Sequence, residues 1–281
     1  IVMNPGDLLL LPDPGYPDYL SGVSLGRVTY ETFPLTAEND FLPDLDAIPE
    51  ETARRAKFIY INYPNNPTGA VATKAFYEKL VAWAKTYEVG VVSDLAYGAL
   101  GYQGYENPSF LSTPGAKDVG IEFYTFSKTF NMAGWRLAFA AGNDQMIEAL
   151  NLIQDHLFVG IFPALQEAGI AALLDPKSEE AVAQLNATYD SRRDAFVQAA
   201  AKIGWQAFPS RGSFYAWMPV PEGYTSESFA DLLLEKVHVA VAPGKGFGPA
   251  GDAYVRIGLL VEPERLVEAV DRIANLQLFN N

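Results

Sequence analysis

Cysteine is absent from the 281 residues, and histidine occurs only twice, at His156 and His238. The first absence excludes disulfides and thiolate zinc sites, and both together exclude a histidine-built metal centre. Basic residues are scarce beside acidic ones. The 20 Lys and Arg against 34 Asp and Glu leave a formal net charge of −14, which argues against a nucleic-acid surface. An anionic ligand would have to be held by individually placed arginines. No apolar run approaches the roughly 18–20 residues of a membrane span. No basic stretch leads into an apolar segment and a cleavage site, so the expected location is cytoplasmic. Repeats and low-complexity segments are also missing. What remains is ordinary globular composition, 49% hydrophobic and 19% charged, long enough for a full α/β core and a second, smaller domain. Any chemistry must rest on carboxylates, lysine, arginine, tyrosine or a bound cofactor.

Apolar runs and amphipathic stretches alternate over the first 175 residues. Leu8–Leu11, Phe58–Ile61, Val89–Val92, Ile121–Phe126 and Leu137–Ala141 read as strands. Between them, Thr73–Tyr87 carries Phe76, Leu80, Ala84 and Tyr87 at helical spacing with Thr73 as N-cap, and Asp144–Phe158 reads as a further helix. Such alternation predicts an α/β fold, with a mostly parallel central sheet covered by helices on both faces. Residues 1–175 would form this large domain and residues 176–281 a small C-terminal α+β domain. The latter has helices at Ser178–Ile203 (ended by Gly204), Ser226–Lys236 and Pro263–Leu276, and strands at Phe214–Met218, His238–Val241 and Tyr254–Leu260. His156 and His238 read as structural residues, and Phe158, Phe162 and Trp217 as packing residues.

In open α/β sheets, ligands bind beyond the carboxyl ends of the strands. Four such ends carry unusual groups here: Tyr16 in Pro14-Gly15-Tyr16-Pro17; Asn65-Asn66-Pro67-Thr68-Gly69; Asp94 followed by Tyr97; and Ser127-Lys128. Each has a bland alternative. The Asn-Pro-Gly string makes a good turn, Asp94 would cap a helix, and most lysines are solvated. Arg136 would ordinarily be half of a surface ion pair and Tyr16 a loop-packing ring. Together they put an aromatic ring, an amide, a carboxylate, a phenol and an amine around one crevice.

The combination resembles a known family. Thr125-Phe126-Ser127-Lys128-Thr129-Phe130-Asn131-Met132-Ala133-Gly134-Trp135-Arg136 looks like the cofactor-lysine signature of class I/II aminotransferases, the fold type I pyridoxal-phosphate enzymes. Tyr63 through Gly69, Ser93 through Tyr97, Asn4 through Pro17 and Tyr254-Val255-Arg256-Ile257-Gly258 match the family's other landmarks in order, so the resemblance spans essentially the whole chain. It implies that pyridoxal 5'-phosphate is carried by Lys128, the catalytic residue and the proton carrier of the reaction. Asp94 would pair with the ring nitrogen, Asn66 and Tyr97 with the phenolic oxygen, and Tyr16 would stack on the ring. Thr125, Ser127 and Arg136 would hold the phosphate, and Arg256, with Asn66 beside it, the substrate carboxylate. The resemblance further implies small-molecule amino acid and 2-oxo acid substrates, a homodimer with active sites at the interface, and roughly a hundred residues ahead of the Asn-Pro-Gly-Asp segment.

Finer wording points to a subgroup. Ala96 through Ala99, Thr188 through Arg193 and Gly212 through Trp217 look like the methionine-salvage aminotransferases of bacilli. These aminate 2-oxo-4-methylthiobutanoate with glutamine or a similar donor. Pro114 through Lys117 is shared with LL-diaminopimelate aminotransferases, the alternative reading. A fold type I C–S lyase would use the same cofactor residues, and a transcription regulator with a borrowed aminotransferase-like domain would differ only upstream.

Overall fold

The computed structural model describes residues 2–279. Six strands form one sheet: β1 (Leu8–Asp13), β2 (Thr29–Pro34), β3 (Ala56–Asn62), β4 (Gly90–Asp94), β5 (Gly120–Thr125) and β6 (Ala138–Gly142). Their spatial order is β2-β1-β3-β4-β5-β6, parallel throughout except for the antiparallel edge strand β6. The four strand ends singled out in the sequence therefore belong to four adjacent parallel strands and open on one rim. β2 has no counterpart in the sequence reading, because Thr-Tyr-Glu-Thr-Phe-Pro at a sheet edge buries only Phe33 and shows no apolar run.

β1 explains why the sheet is covered on both faces. All of Leu8 to Leu11 are buried. Leu8 and Leu10 pack in a core with Ile59, Ile61 and the helix Lys74–Tyr87, whereas Leu9 and Leu11 pack on the other face with Val23 of the helix Tyr19–Gly26. Period-two alternation on a strand apolar at every position requires a helix on each side. The helix Lys74–Tyr87 begins where its sequence says it should, with the Thr73 hydroxyl accepting from Phe76 N at 3.1 Å. That bond satisfies one of the orphan amides of the first turn.

Strands β7 (Tyr215–Pro219), β8 (Ala242–Pro243) and β9 (Tyr254–Gly258) make a separate antiparallel sheet of order β7-β9-β8. Ala216, Met218, Val255 and Ile257 pack against helices Ser178–Lys202, Ser226–Val237 and Pro263–Ala274 in a second core. Trp217, on the opposite parity, joins the first core. In register, Trp217 lies across from Arg256, so the face of β9 that bears Arg256 is turned toward the larger sheet.

Several local expectations are corrected. His238–Val241 is not a strand: His238 is a left-handed C-cap (φ 56°) of the preceding helix, and pairing starts only at Ala242. The helix from Asp144 ends at Ile153 and widens into a π turn over Gln154–Phe158. Trp217 is buried as expected, but Phe158 and Phe162 are 65% and 68% exposed. Both His156 and His238 are exposed. No helix among the described residues is long and apolar enough to cross a membrane.

Candidate active site

The rim of the parallel sheet is built from short polar endings held rigid by the backbone. β3 ends at Asn62, whose Nδ2 donates to the carbonyl of Asp94 at 2.8 Å and whose Oδ1 accepts from Asn66 N at 2.8 Å. One buried amide thus ties the Asn66 turn to the end of β4. Asn65 closes the same turn, its Oδ1 accepting from Thr68 N and Thr68 Oγ1. Asx side chains fold back on the chain in this way because their short carbonyls reach amides two or three residues on. Asn62 and Asn65 were not singled out in the sequence as site residues, though both lie in or beside the motif.

Asp94 ends β4 half-buried, and its Oδ2 accepts from the Tyr19 hydroxyl at 2.7 Å. Burial pushes its carboxyl above the usual carboxylate range, while Tyr19, the Ala96 amide and the Lys128 charge act in the other direction. Lys128 stands on the next strand's exit, in the one-turn helix Phe126–Thr129. Thr125 caps that turn by accepting from Ser127 N at 3.2 Å and donates to Ser127 Oγ at 2.9 Å. The Lys128 Nζ lies 5.9 Å from the centre of the Tyr97 ring, over its face. Tyr97 is buried, and desolvation drives its hydroxyl well above its ordinary value, so it remains a neutral donor.

Arg256 reaches this rim from β9. Its Nη1 donates to Asn66 Oδ1 at 2.7 Å across 190 residues of sequence. The guanidinium lies 4.0 Å from the Tyr215 ring centre and 4.6 Å from that of Phe247. Its Nε is buried with no hydrogen-bond partner. A buried donor on a ring-packed cation is set to accept an anion from one edge, since an unmatched buried donor costs about 1–3 kcal/mol. Tyr16 is 39% exposed at the rim, edge-on to Tyr19 at 5.6 Å. A hydrogen bond to Asp18 raises the Tyr16 hydroxyl to about 12.

The structure therefore brings Asp94, Lys128, Tyr97, Asn66 and Arg256 into one connected group, with Tyr16 at its margin. Thr125 and Ser127 are hydrogen-bonded to each other. Arg136 stands apart: it is exposed, in a left-handed conformation (φ 53°), and its Nη1 donates to Ala133 O at 2.9 Å. Tyr19, Tyr215 and Phe247 belong to the group and escaped the sequence reading. Tyr215 lies in Gly212-Ser213-Phe214-Tyr215, a string already noted for its subgroup likeness, and could have been found there. Tyr19 and Phe247 carried no signal. No cluster of acidic residues and histidines suited to a metal ion occurs among the described residues.

The model of the family "Aminotransferase class I and II" matches residues 1–273. The L-glutamine--4-(methylsulfanyl)-2-oxobutanoate aminotransferase of Bacillus subtilis is 56% identical over 278 residues, covering 99% of this chain and 69% of the relative. The LL-diaminopimelate aminotransferase of Moorella thermoacetica is 49% identical over 271 residues, covering 96% of this chain and 69% of its own. Among solved structures, an aminotransferase from Staphylococcus aureus superposes with a TM-score of 0.95 at 41% identity, covering 99% of this chain and 73% of that one. The chain spans about 69% of the length of the two curated relatives. The chain belongs to the class I and II aminotransferase family and is a transaminase.

Proposed function

We propose that the chain binds pyridoxal phosphate and acts as an aminotransferase that makes methionine from 2-oxo-4-methylthiobutanoate, with glutamine or a similar amino acid as donor. The observation that carries the reading is the placement of Asp94 and Lys128 at the ends of adjacent strands, with Arg256 stacked on two rings and bonded to Asn66. The residues present fit the cofactor: a buried carboxylate for a cationic ring nitrogen, a primary amine for an aldehyde, neutral phenol and amide donors for an oxyanion, and an unpartnered Arg256 Nε for a carboxylate. When bound, pyridoxal phosphate supplies the electron sink for the bond broken at the substrate α-carbon.

The chain's own residues do the rest. Lys128 Nζ takes the α-proton of the amino acid and later returns one, a task that needs a mobile amine beside the reacting carbon. Asp94 keeps a proton on the ring nitrogen. Tyr97 and Asn66 orient the ring, and Tyr16 covers its face. Thr125, Ser127 and Arg136 hold the phosphate; Arg136 has donors left for it besides the Nη1 that bonds the Ala133 carbonyl. Arg256 orients the substrate carboxylate by its edge.

The methionine assignment rests on the 56% identity to the Bacillus subtilis enzyme. Division into a large part, 1–175, and a small part, 176–281, is supported by the second core, whose buried members all lie at 196 or beyond, although Trp217 of the small part joins the first core. Pairing of two copies is supported by the exposed apolar run Leu157, Phe158, Val159 and Phe162.

Reconstitution with pyridoxal phosphate tests the reading. A visible absorbance band and a borohydride-stable mass adduct are expected on the parent protein, and both should vanish in Lys128→Ala. A parent protein that forms neither overturns the cofactor assignment. Faster amination of LL-diaminopimelate's oxo acid than of 2-oxo-4-methylthiobutanoate would overturn the substrate assignment.

A further inference from the structure

Tyr19 opens the helix Tyr19–Gly26 and lies 75 residues from Asp94 in sequence, yet its hydroxyl donates to Asp94 Oδ2 at 2.7 Å. Two rings hold the phenol in place: Tyr16 edge-on at 5.6 Å and Tyr60 tilted at 5.2 Å. The main chain of Asp94 is fixed independently, by Asn62 Nδ2 on its carbonyl at 2.8 Å. The backbone of this aspartate is thus anchored from β3, and its carboxylate from a helix on the other side of β1. The groups facing the carboxylate are Tyr19, Tyr16, Tyr60 and Tyr97, with Lys128 as the one cation among them. Burial and the Asp94 charge drive the Tyr19 hydroxyl far above its ordinary value, so it remains a donor and never a second anion.

We propose that Tyr19 is a positioning residue, whose hydroxyl holds the Asp94 carboxylate as the anionic partner of the cofactor's ring nitrogen. This rests on the cofactor reading given under Proposed function. Tyr19 bonds to the Asp94 carboxylate and acts through it. Because it also packs against Tyr16, it joins the side chain that covers the ring face to the one that pairs with the ring edge.

The consequence is a pH signature that packing alone would not produce. A hydroxyl donating to a carboxylate favours the ionised form, so its removal moves Asp94 protonation to higher pH. Uptake of pyridoxal phosphate by cofactor-free protein, followed against pH, should lose affinity on the acid side as Asp94 protonates. In Tyr19→Phe, which keeps the ring and its contacts, that acid limb should move upward by about one unit, corresponding to about tenfold weaker binding on the limb. Isotope-edited infrared titration of the cofactor-free protein should show the Asp94 carboxyl band moving the same way. In an Asp94→Asn background, Tyr19→Phe should change cofactor affinity by less than about twofold, since the partner is gone.

A parent protein that binds no pyridoxal phosphate overturns the function reading and this proposal with it. A parent that binds, with an acid limb and a carboxyl band unmoved by Tyr19→Phe, overturns this proposal alone. Equal losses from Tyr19→Phe in the parent and in the Asp94→Asn background would show that the phenol acts by packing, and would also overturn it.

Discussion

Arg256 shows how much of the site is decided by single side chains. Its fork is oriented by Asn66 and by two rings, one of which, Phe247, also accepts through its carbonyl from Gly15 N at 2.7 Å. The segment bearing Tyr16 and the ring that positions Arg256 are therefore bonded through one peptide. Lysine in place of arginine keeps the charge but not the paired donors, a loss of about 1.5–3 kcal/mol. Arg256→Lys should raise KM for amino donor and oxo acid alike by about 10- to 100-fold. Phe247→Leu removes one stacking face, a contribution of about 0.5–2 kcal/mol, and should raise both KM values several-fold with kcat nearly unchanged. Steady-state kinetics on both half-reactions checks this. A fall in kcat at constant KM would show that Arg256 does not serve ground-state carboxylate binding. Lys128, Asp94, Asn66 and Tyr97 were legible in the sequence because each sits in a dense local string at a strand end, and Arg256, in the middle of β9, because its string resembles a family landmark. Tyr19 and Phe247 were not. A tyrosine at the start of a helix and a phenylalanine in a glycine-rich loop look the same whether or not they face a site.

At the scale of elements, the sheet is stitched internally by a buried carboxylate that takes no part in the site. Glu122 of β5 accepts from Ser93 Oγ of β4 at 3.0 Å, from Ser109 Oγ, and from Phe110 N at 2.9 Å. Burial raises its carboxyl above the ordinary range, the three donors opposing that. With the folded-state value raised, the fold binds the proton more tightly than the unfolded chain. Its contribution to stability is therefore greatest below the ordinary glutamate value, and falls as pH climbs from there through the folded value. Glutamine stands in for the protonated acid, so the melting temperature of Glu122→Gln minus that of the parent should increase between about pH 4 and about pH 7. Calorimetry at several pH values checks it, and a difference independent of pH would contradict it. Element types were readable from periodicity where strands were apolar on both faces or helices well capped. β2 and the two-residue β8 were not, since edge strands bury too little for their sequence to be constrained.

For the molecule as a whole, Leu157, Phe158, Val159 and Phe162 form an exposed apolar run. Val159 is 86% exposed and stands in a left-handed conformation with φ 62°, unusual for a β-branched residue. If two copies cover this run, Phe158→Asp with Phe162→Asp should shift the mass in solution from dimer to monomer, since a desolvated carboxylate without a partner is costly. Sedimentation measurements on the parent and the double variant decide it, and a parent that is already monomeric contradicts it. Nothing in composition singled out these rings as exposed; they read as core because they are large and apolar.

The sequence by itself determined the elements of the parallel sheet apart from β2 and the family to which the chain belongs, and it singled out the amine, carboxylate and arginine that the structure brings together. Local strings and alternation carry that information within a few residues. Only the tertiary structure decided what surrounds each of them: Tyr19 on Asp94, two rings on Arg256, and an Arg256-bearing strand face turned toward the larger sheet. The Tyr19–Asp94 and Arg256–Asn66 bonds join residues 75 and 190 positions apart. They follow from how strand parity, helix packing and two cores fit together, which no local pattern records.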